Sequence, residues 1–189
     1  DVITNVPPEQ MDGLNTDTTK VVAKATDRLF YINVNTLEEG PLQNKLVRQA
    51  IAYAIDVDAI NESLLGGMAQ RTAINLPLEA FGYDASLTPY EYNPEKAKEL
   101  LAEAGYADGI TIPFLSRNGR YIKDKEIVET CAAYLEQVGI HCEVELVEGG
   151  VWQNRSENHG RKGMQIWSFI RSSPPGNRRA MSAMRRLTR

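Results

Sequence analysis

Two cysteines and two histidines in 189 residues leave little material for metal or disulfide chemistry. Cysteine this sparse excludes a disulfide framework. His141 sits between glutamates in an alternating run and His159 in a polar turn beside Gly160, and neither is spaced from the other or from a cysteine as metal ligands are. No stretch approaches the apolar length that crosses a bilayer. A phosphate-cradling glycine loop, a nucleophile elbow and an HExxH motif are all missing, and the glutamate pairs fall on solvated faces. These gaps argue against an enzyme, and no cofactor and no metal are expected. A methionine start and a signal peptide are missing too: the chain opens at Asp1 in mid-pattern, so a piece of a longer protein is expected.

Acidic side chains are unevenly missing. Residues 171–189 hold six arginines, no lysine and no acid, a charge of +6, whereas the preceding 170 residues hold 15 basic and 25 acidic side chains, a charge of −10. A basic arm can bind nucleic acid or a membrane surface. This one has no interleaved aromatics and no nucleic-acid-binding signature, so nucleic acid is not an expected partner. A disordered or non-native tail is expected instead. A run rich in arginine, proline and alanine without acids also resembles out-of-frame reading of GC-rich coding sequence.

The apolar fraction of 42% and charged fraction of 24% are those of an ordinary globular protein, and the length suits one domain with an appendage. Leu29 to Val34 is aromatic and β-branched, which predicts a buried strand. After the turn at Gly40-Pro41, the spacing of Val47, Ala50, Ile51, Ala54 and Ile55 predicts a helix with one apolar face. Asp56 is placed to cap a second helix burying Ala59, Ile60 and Leu64, with Gly66 closing it in the left-handed conformation. Asn93 begins a helix that buries Ala97, Leu100, Leu101 and Ala104 and stops at Gly105. Nearer the N-terminus, Pro7-Pro8-Glu9 predicts a proline-started helix and Val21-Val22 a short strand. Residues 68–91 show no sustained period and read as a long loop.

Ile110 to Leu115, Asp124 to Val138 and Ile140 to Val147 read as strand, helix and strand, which implies parallel pairing with a right-handed crossover. In the second strand Ile140, Cys142, Val144 and Leu146 alternate with polar residues and are expected to face the core. Cys131 shares the inner helical face with Val128 and Leu135. Packed layers lie about 10 Å apart, so two buried thiols are expected, with a disulfide as the alternative. A short helix over Gly149 to Asn158 and a last strand over Met164 to Ile170 complete an α/β (α+β mixed) lobe, a mixed sheet flanked by helices.

Four blocks carry a family resemblance: VRQAIAYAIDVDAI with a Leu-x-Gly-Gly-x-Ala close over Leu64 to Ala69, then Tyr92 to Tyr106, Asn118 to Glu126, and Tyr134 to Ile140. In order and spacing they resemble the second lobe of the peptide/nickel family of ABC-transporter solute-binding proteins, over most of residues 1–169. The resemblance implies a periplasmic-binding-protein-like lobe over residues 28–170, with 1–27 left from a first lobe and its crossing segment, and 171–189 as the tail. It implies a protein exported to the periplasm or cell exterior, lipid-anchored or not, that closes two lobes on a solute and docks on permease subunits of an ABC importer. The implied partners are a short peptide or similar small solute, the permease, and the missing first lobe.

In open sheets, ligands gather outside the carboxyl ends of parallel strands. Arg117, Asn118, Arg120 and Tyr121 fall there after one strand, and Trp167 and Ser168 at the end of another. Guanidinium forks, an amide and a phenol suit carboxylates and carbonyls, and an indole adds contact area. Solvated loop arginines and a core tryptophan are the alternatives. The resemblance favours the cleft, because peptide-binding relatives line it with that loop and that tryptophan. Those relatives also follow the tryptophan with an aspartate for the ligand's amino group, where this chain has Ile170 and no acid afterwards. Alternative solutes in the family are nickel, haem and sugar-type molecules; a non-functional fragment or an arginine-tail interaction module is the other class.

Overall fold

The computed structural model describes residues 2–4, 6–24, 26, 28–78, 80, 82–157 and 163–170. Within them a 3-10 turn, Pro8–Gln10, leads into the one-turn helix α1, Met11–Leu14. Strand β1, Arg28–Val34, follows, then helices α2, Lys45–Ala54, α3, Val57–Leu65, and α4, Pro94–Glu103. Strand β2, Ile110–Arg117, helix α5, Asp124–Glu136, strand β3, Ile140–Val147, helix α6, Gly149–Glu157, and strand β4, Met164–Ile170, complete the order. His159, Arg171 and the whole basic tail lie outside the described residues.

Local chemistry sets the helix ends. The side chains of Asn44, Asp56 and Asn93 accept from the amides of Leu46, Ala59 and Lys96, each at 2.9 Å, at the starts of α2, α3 and α4. Each satisfies a donor that the first helical turn leaves without a partner. Gly66 ends α3 at φ 60°, the left-handed cap.

The four strands form one mixed sheet in the order β1-β4-β2-β3. β2 and β3 run parallel from Ile110↔Ile140 to Arg117↔Val147, as a strand–helix–strand unit requires. β4 is parallel to β2 but pairs with it only at Phe114↔Met164 and Leu115↔Gln165. β1 lies antiparallel to β4 along its whole length, Arg28↔Ile170 to Val34↔Met164. On one face, Val47, Ala50, Ile51 and Ala54 of α2, Leu100 and Leu101 of α4, and Val128 and Leu135 of α5 join Ile112, Phe114, Ile140, Met164 and Ile166 in a single core. Each large apolar side chain fully buried there contributes roughly 1.5–3 kcal/mol.

Three expectations need correction. β1 is an edge strand, so its residues are half-buried rather than buried, and Phe30 is 42% exposed. Val144, expected to face the core, is 37% exposed, because β3 is the opposite edge and has a neighbour on one flank alone. Val21-Val22 forms no strand: no partner among the described residues offers it a ladder, and Val22 is exposed. Both cysteines are free, Cys131 buried and Cys142 half-buried. Burial pushes each thiol up to about 12.

The long loop has no helix or strand among its described residues and is tied down by side chains. Asn61 bonds both the amide and the carbonyl of Ala69, at 3.0 and 2.9 Å. Arg71 bonds Asp58 at 2.5 Å and the Tyr90 carbonyl, and Tyr90 meets Tyr53 edge-on at 5.0 Å.

Candidate solute-binding site

Parallel strands β2, β3 and β4 deliver their carboxyl ends to one side of the sheet, and antiparallel β1 delivers its first residue, Arg28, to the same side. The loop after β2 is shaped by a residue that the sequence reading passed over as a helix start. Asp124 is buried, and its carboxylate accepts from the amides of Gly119 (3.1 Å), Arg120 (2.7 Å) and Tyr121 (3.0 Å). Three successive amides turned onto one carboxylate fix the path of the loop. Lys123, just before α5, takes the left-handed conformation at φ 59° that completes the turn.

Side chains alternate across a strand, so the loop and strand ends divide between the two faces. On the helix-bearing side, Phe30 lies opposite Ser168, and the Tyr121 ring meets Phe30 edge-on at 4.9 Å. The Arg28 guanidinium stands 4.9 Å from the centre of the Tyr121 ring and donates to the Ser168 hydroxyl at 3.3 Å. Arg120, exposed, stands 5.7 Å from that ring. Burial alone would raise the Tyr121 phenol. Hydrogen bonds from Ser168 and Arg120, with the charges of Arg117 and Arg28, outweigh it and hold the phenol below its ordinary value.

Across the sheet, the β2–β4 ladder stops after Leu115 and Gln165, and Trp152 of α6 packs against the ends of both strands. The Arg117 guanidinium covers the Trp152 ring at 3.6 Å, a cation–π contact worth roughly 1–2 kcal/mol when desolvated. Trp152 meets Trp167 edge-on at 4.9 Å, and the Trp167 indole donates to the Gln165 side-chain oxygen at 3.0 Å. Burial lowers the Arg117 guanidinium from its ordinary value, and the charge of Arg120 adds to the effect.

Of the six residues singled out from the sequence, Arg117, Arg120, Tyr121, Trp167 and Ser168 gather at these strand ends. Asn118 contributes its main chain: its amide extends the β2–β3 ladder to the Val147 carbonyl at 3.0 Å while the side chain is exposed. Trp167 is neither wholly core nor wholly exposed. Arg28, Trp152, Gln165 and Asp124 were missed. The one sequence signal available was Trp152 itself, a large aromatic in an otherwise polar segment, GGVWQNRSE. At the opposite end of the sheet, a shallow hollow of about 360 Å³ is lined by Asp108 to Thr111, Glu136, Gly139 and His141. It gathers solvated side chains and strand-end backbone and offers no convergent polar set.

The mixed α/β fold matches what comparison with known proteins finds. The sequence matches the family described as bacterial extracellular solute-binding proteins, family 5, middle, over residues 1–183. The chain belongs to that family. Glutathione-binding protein GsiB of Pectobacterium atrosepticum is 32% identical over 157 residues, 82% of this chain and 30% of that protein. Heme-binding protein A of Haemophilus influenzae is 44% identical over 84 residues, 44% of this chain and 15% of that protein. The periplasmic binding protein DppA of Helicobacter pylori, solved with the peptide STSA, superposes with a TM-score of 0.78 at 27% identity, over 87% of this chain and 31% of its own. The chain thus spans less than a third of each of these relatives. The family is one of solute-binding proteins rather than enzymes.

Proposed function

We propose that this chain is one lobe of an extracytoplasmic solute-binding protein that captures short peptides non-covalently and delivers them to an ABC importer. The observation that carries this reading is the convergence of Arg117, Arg120, Tyr121, Trp167 and Ser168 where β2 and β4 end. Guanidiniums, a phenol and a hydroxyl can bond the carboxylate and carbonyls of a peptide, and the indoles can pack on its side chains. The relatives named for glutathione and for a bound tetrapeptide support the same class.

In this reading residues 28–170 are the second lobe, residues 1–27 belong to the first lobe and its crossing segment, and 171–189 are a basic tail. Partners are the missing lobe, which supplies the other wall of the cleft, and the permease subunits of the importer. The site of action is the periplasm or cell exterior. A haem solute is the second reading, favoured by the 44% identity to the Haemophilus protein. Against it, the described histidine, His141, lies at the far end of the sheet from the candidate site.

Native mass spectrometry of this chain with a mixture of short peptides, and separately with haem, tests the proposal. An added peptide mass supports it. If the chain stays bare, and a longer chain carrying the first lobe stays bare as well, peptides are the wrong solute.

A further inference from the structure

We infer that the solute meets this lobe through two carboxylates, one on each face of the β4 end, so that it carries more negative than positive charge. The inference rests on reading these strand ends as the solute-facing surface, and it adds the charge of the solute to that reading.

The first observation is an unbalanced set of cations. Arg28, Arg117 and Arg120 lie around Tyr121, and none of them pairs with a carboxylate among the described residues. This contrasts with their setting, because residues 1–170 carry a net charge of −10. Acids are abundant in the chain, yet they are directed elsewhere. Asp124, nearest in sequence to the loop, spends its oxygens on the amides of Gly119, Arg120, Tyr121 and Lys125. Glu145 pairs with Arg155, and Glu9 with Lys123. No Asp or Glu occurs after Glu157. Guanidiniums gathered at one end of the sheet without a counter-ion repel one another, and the burial of Arg117 adds a desolvation cost that a bound anion would offset.

The second observation is independent of charge. Among the described residues, the buried side-chain polar atoms without a hydrogen-bond partner are Arg117 Nε, Trp152 Nε1 and Gln165 Nε2. All three belong to the cluster on one face of the strand ends, and all three are donors. Trp152 and Gln165 are each 3% exposed, so solvent does not satisfy them. Buried donors are normally paired, and a group of three without an acceptor marks a place that an acceptor fills. A carboxylate has two oxygens and can serve several donors at once.

Together the observations give two anion-seeking groups. Arg28 and Arg120 flank the Tyr121 hydroxyl on the helix-bearing face, and Arg117 with Trp152 and Gln165 forms the other. The two groups lie on opposite faces of the sheet, so one carboxylate is assigned to each. A peptide with an acidic side chain beside its carboxyl terminus presents the required pair.

Both tryptophans of the chain, Trp152 and Trp167, lie in this cluster, so tryptophan fluorescence, excited apart from the eight tyrosines, reports on it. The test is a fluorescence titration of the 189-residue chain at low salt with alanyl-glutamate, alanyl-glutamine and alanyl-glutamine amide, each to about 10 mM. These probes lose one carboxylate at a time. The expected result is a half-saturation that rises on the order of tenfold for each carboxylate removed, since each forms charge-assisted hydrogen bonds. Arg28→Gln with Arg120→Gln should abolish the difference between the first two probes. If the amide binds as tightly as alanyl-glutamate, the charge inference is overturned while solute binding stands. If no probe changes the fluorescence of this chain, nor of a longer chain carrying the first lobe, the charge inference and the solute-facing reading of this surface fail together.

Discussion

Asp124 controls the candidate site without facing it. Its carboxylate holds the amides of residues 119–121, so the positions of Arg120 and Tyr121 depend on a side chain that a solute would never touch. Asp124→Ala leaves the amides of Gly119, Arg120, Tyr121 and Lys125 to find water or nothing, and should cost about 2–3 kcal/mol of unfolding free energy. Asp124→Asn keeps one acceptor oxygen and should lose less. Urea denaturation with unchanged m-values checks this order; equal midpoints for the wild type and the alanine variant would show that the loop needs no anchor. The same residue shows what a sequence can disclose. Asp56, Asn93 and Gly66 were legible because a cap acts over three or four positions of chain. Asp124 caps backward onto a loop, and Arg28 bonds Ser168 across 140 positions. Nothing local in the sequence marks such pairs.

At the level of strands and helices, apolar periodicity disclosed the β2–α5–β3 unit and the buried faces of α2 and α4, since those faces pack against neighbours on a fixed period. It could not disclose which strands stand at the edges. Hence Phe30 and Val144 are more exposed than an apolar run or an alternating pattern implies. How β4 enters the sheet was equally hidden. A Cβ at Gly163, where φ is 65°, would sit 2.0 Å from the Pro113 carbonyl oxygen, so the chain reaches β4 only through glycine. Gly163→Ala should separate β4 from β2 at a cost of about 3 kcal/mol, combining overpacking with a strained backbone. Retained stability, measured by thermal unfolding, would mean that this approach is not needed for the sheet.

The packing of α5 on β3 makes a second element-scale prediction. Cys131 and Cys142 are pushed up to about 12 by burial, from an ordinary value near 9. In the unfolded chain both thiols ionise first. Their contribution to stability is therefore complete below about pH 9 and is lost as pH rises from there toward 12. The loss approaches about 1.4 kcal/mol per pH unit for each thiol. Unfolding midpoints from pH 8 to 11 should fall more steeply for the wild type than for Cys131→Ala with Cys142→Ala. Parallel slopes would mean that the thiols do not differ between the folded and unfolded states.

For the whole molecule, the open question is which residues make one folding unit. Composition changes at residue 171 and the family-like blocks set the expected bounds of the lobe, whereas the standing of residues 1–27 depends on packing. Their described part touches the rest of the chain lightly. Glu9 pairs with Lys123 at 2.8 Å, and Pro8 lies beside Gly66. Val2, Ile3 and Val22 are 91%, 70% and 83% exposed, while Val6, Met11 and Leu14 are half-buried and none of the segment's described side chains is fully buried. An exposed ion pair contributes about 0–1 kcal/mol. Removing residues 1–26 should therefore lower unfolding free energy by about 1 kcal/mol or less, with the m-value nearly unchanged because little area is lost. Loss of several kcal/mol would place the segment inside the core and move the boundary of the lobe toward residue 1. A small loss would mean that the segment contributes little to the core built by the rest of the described residues.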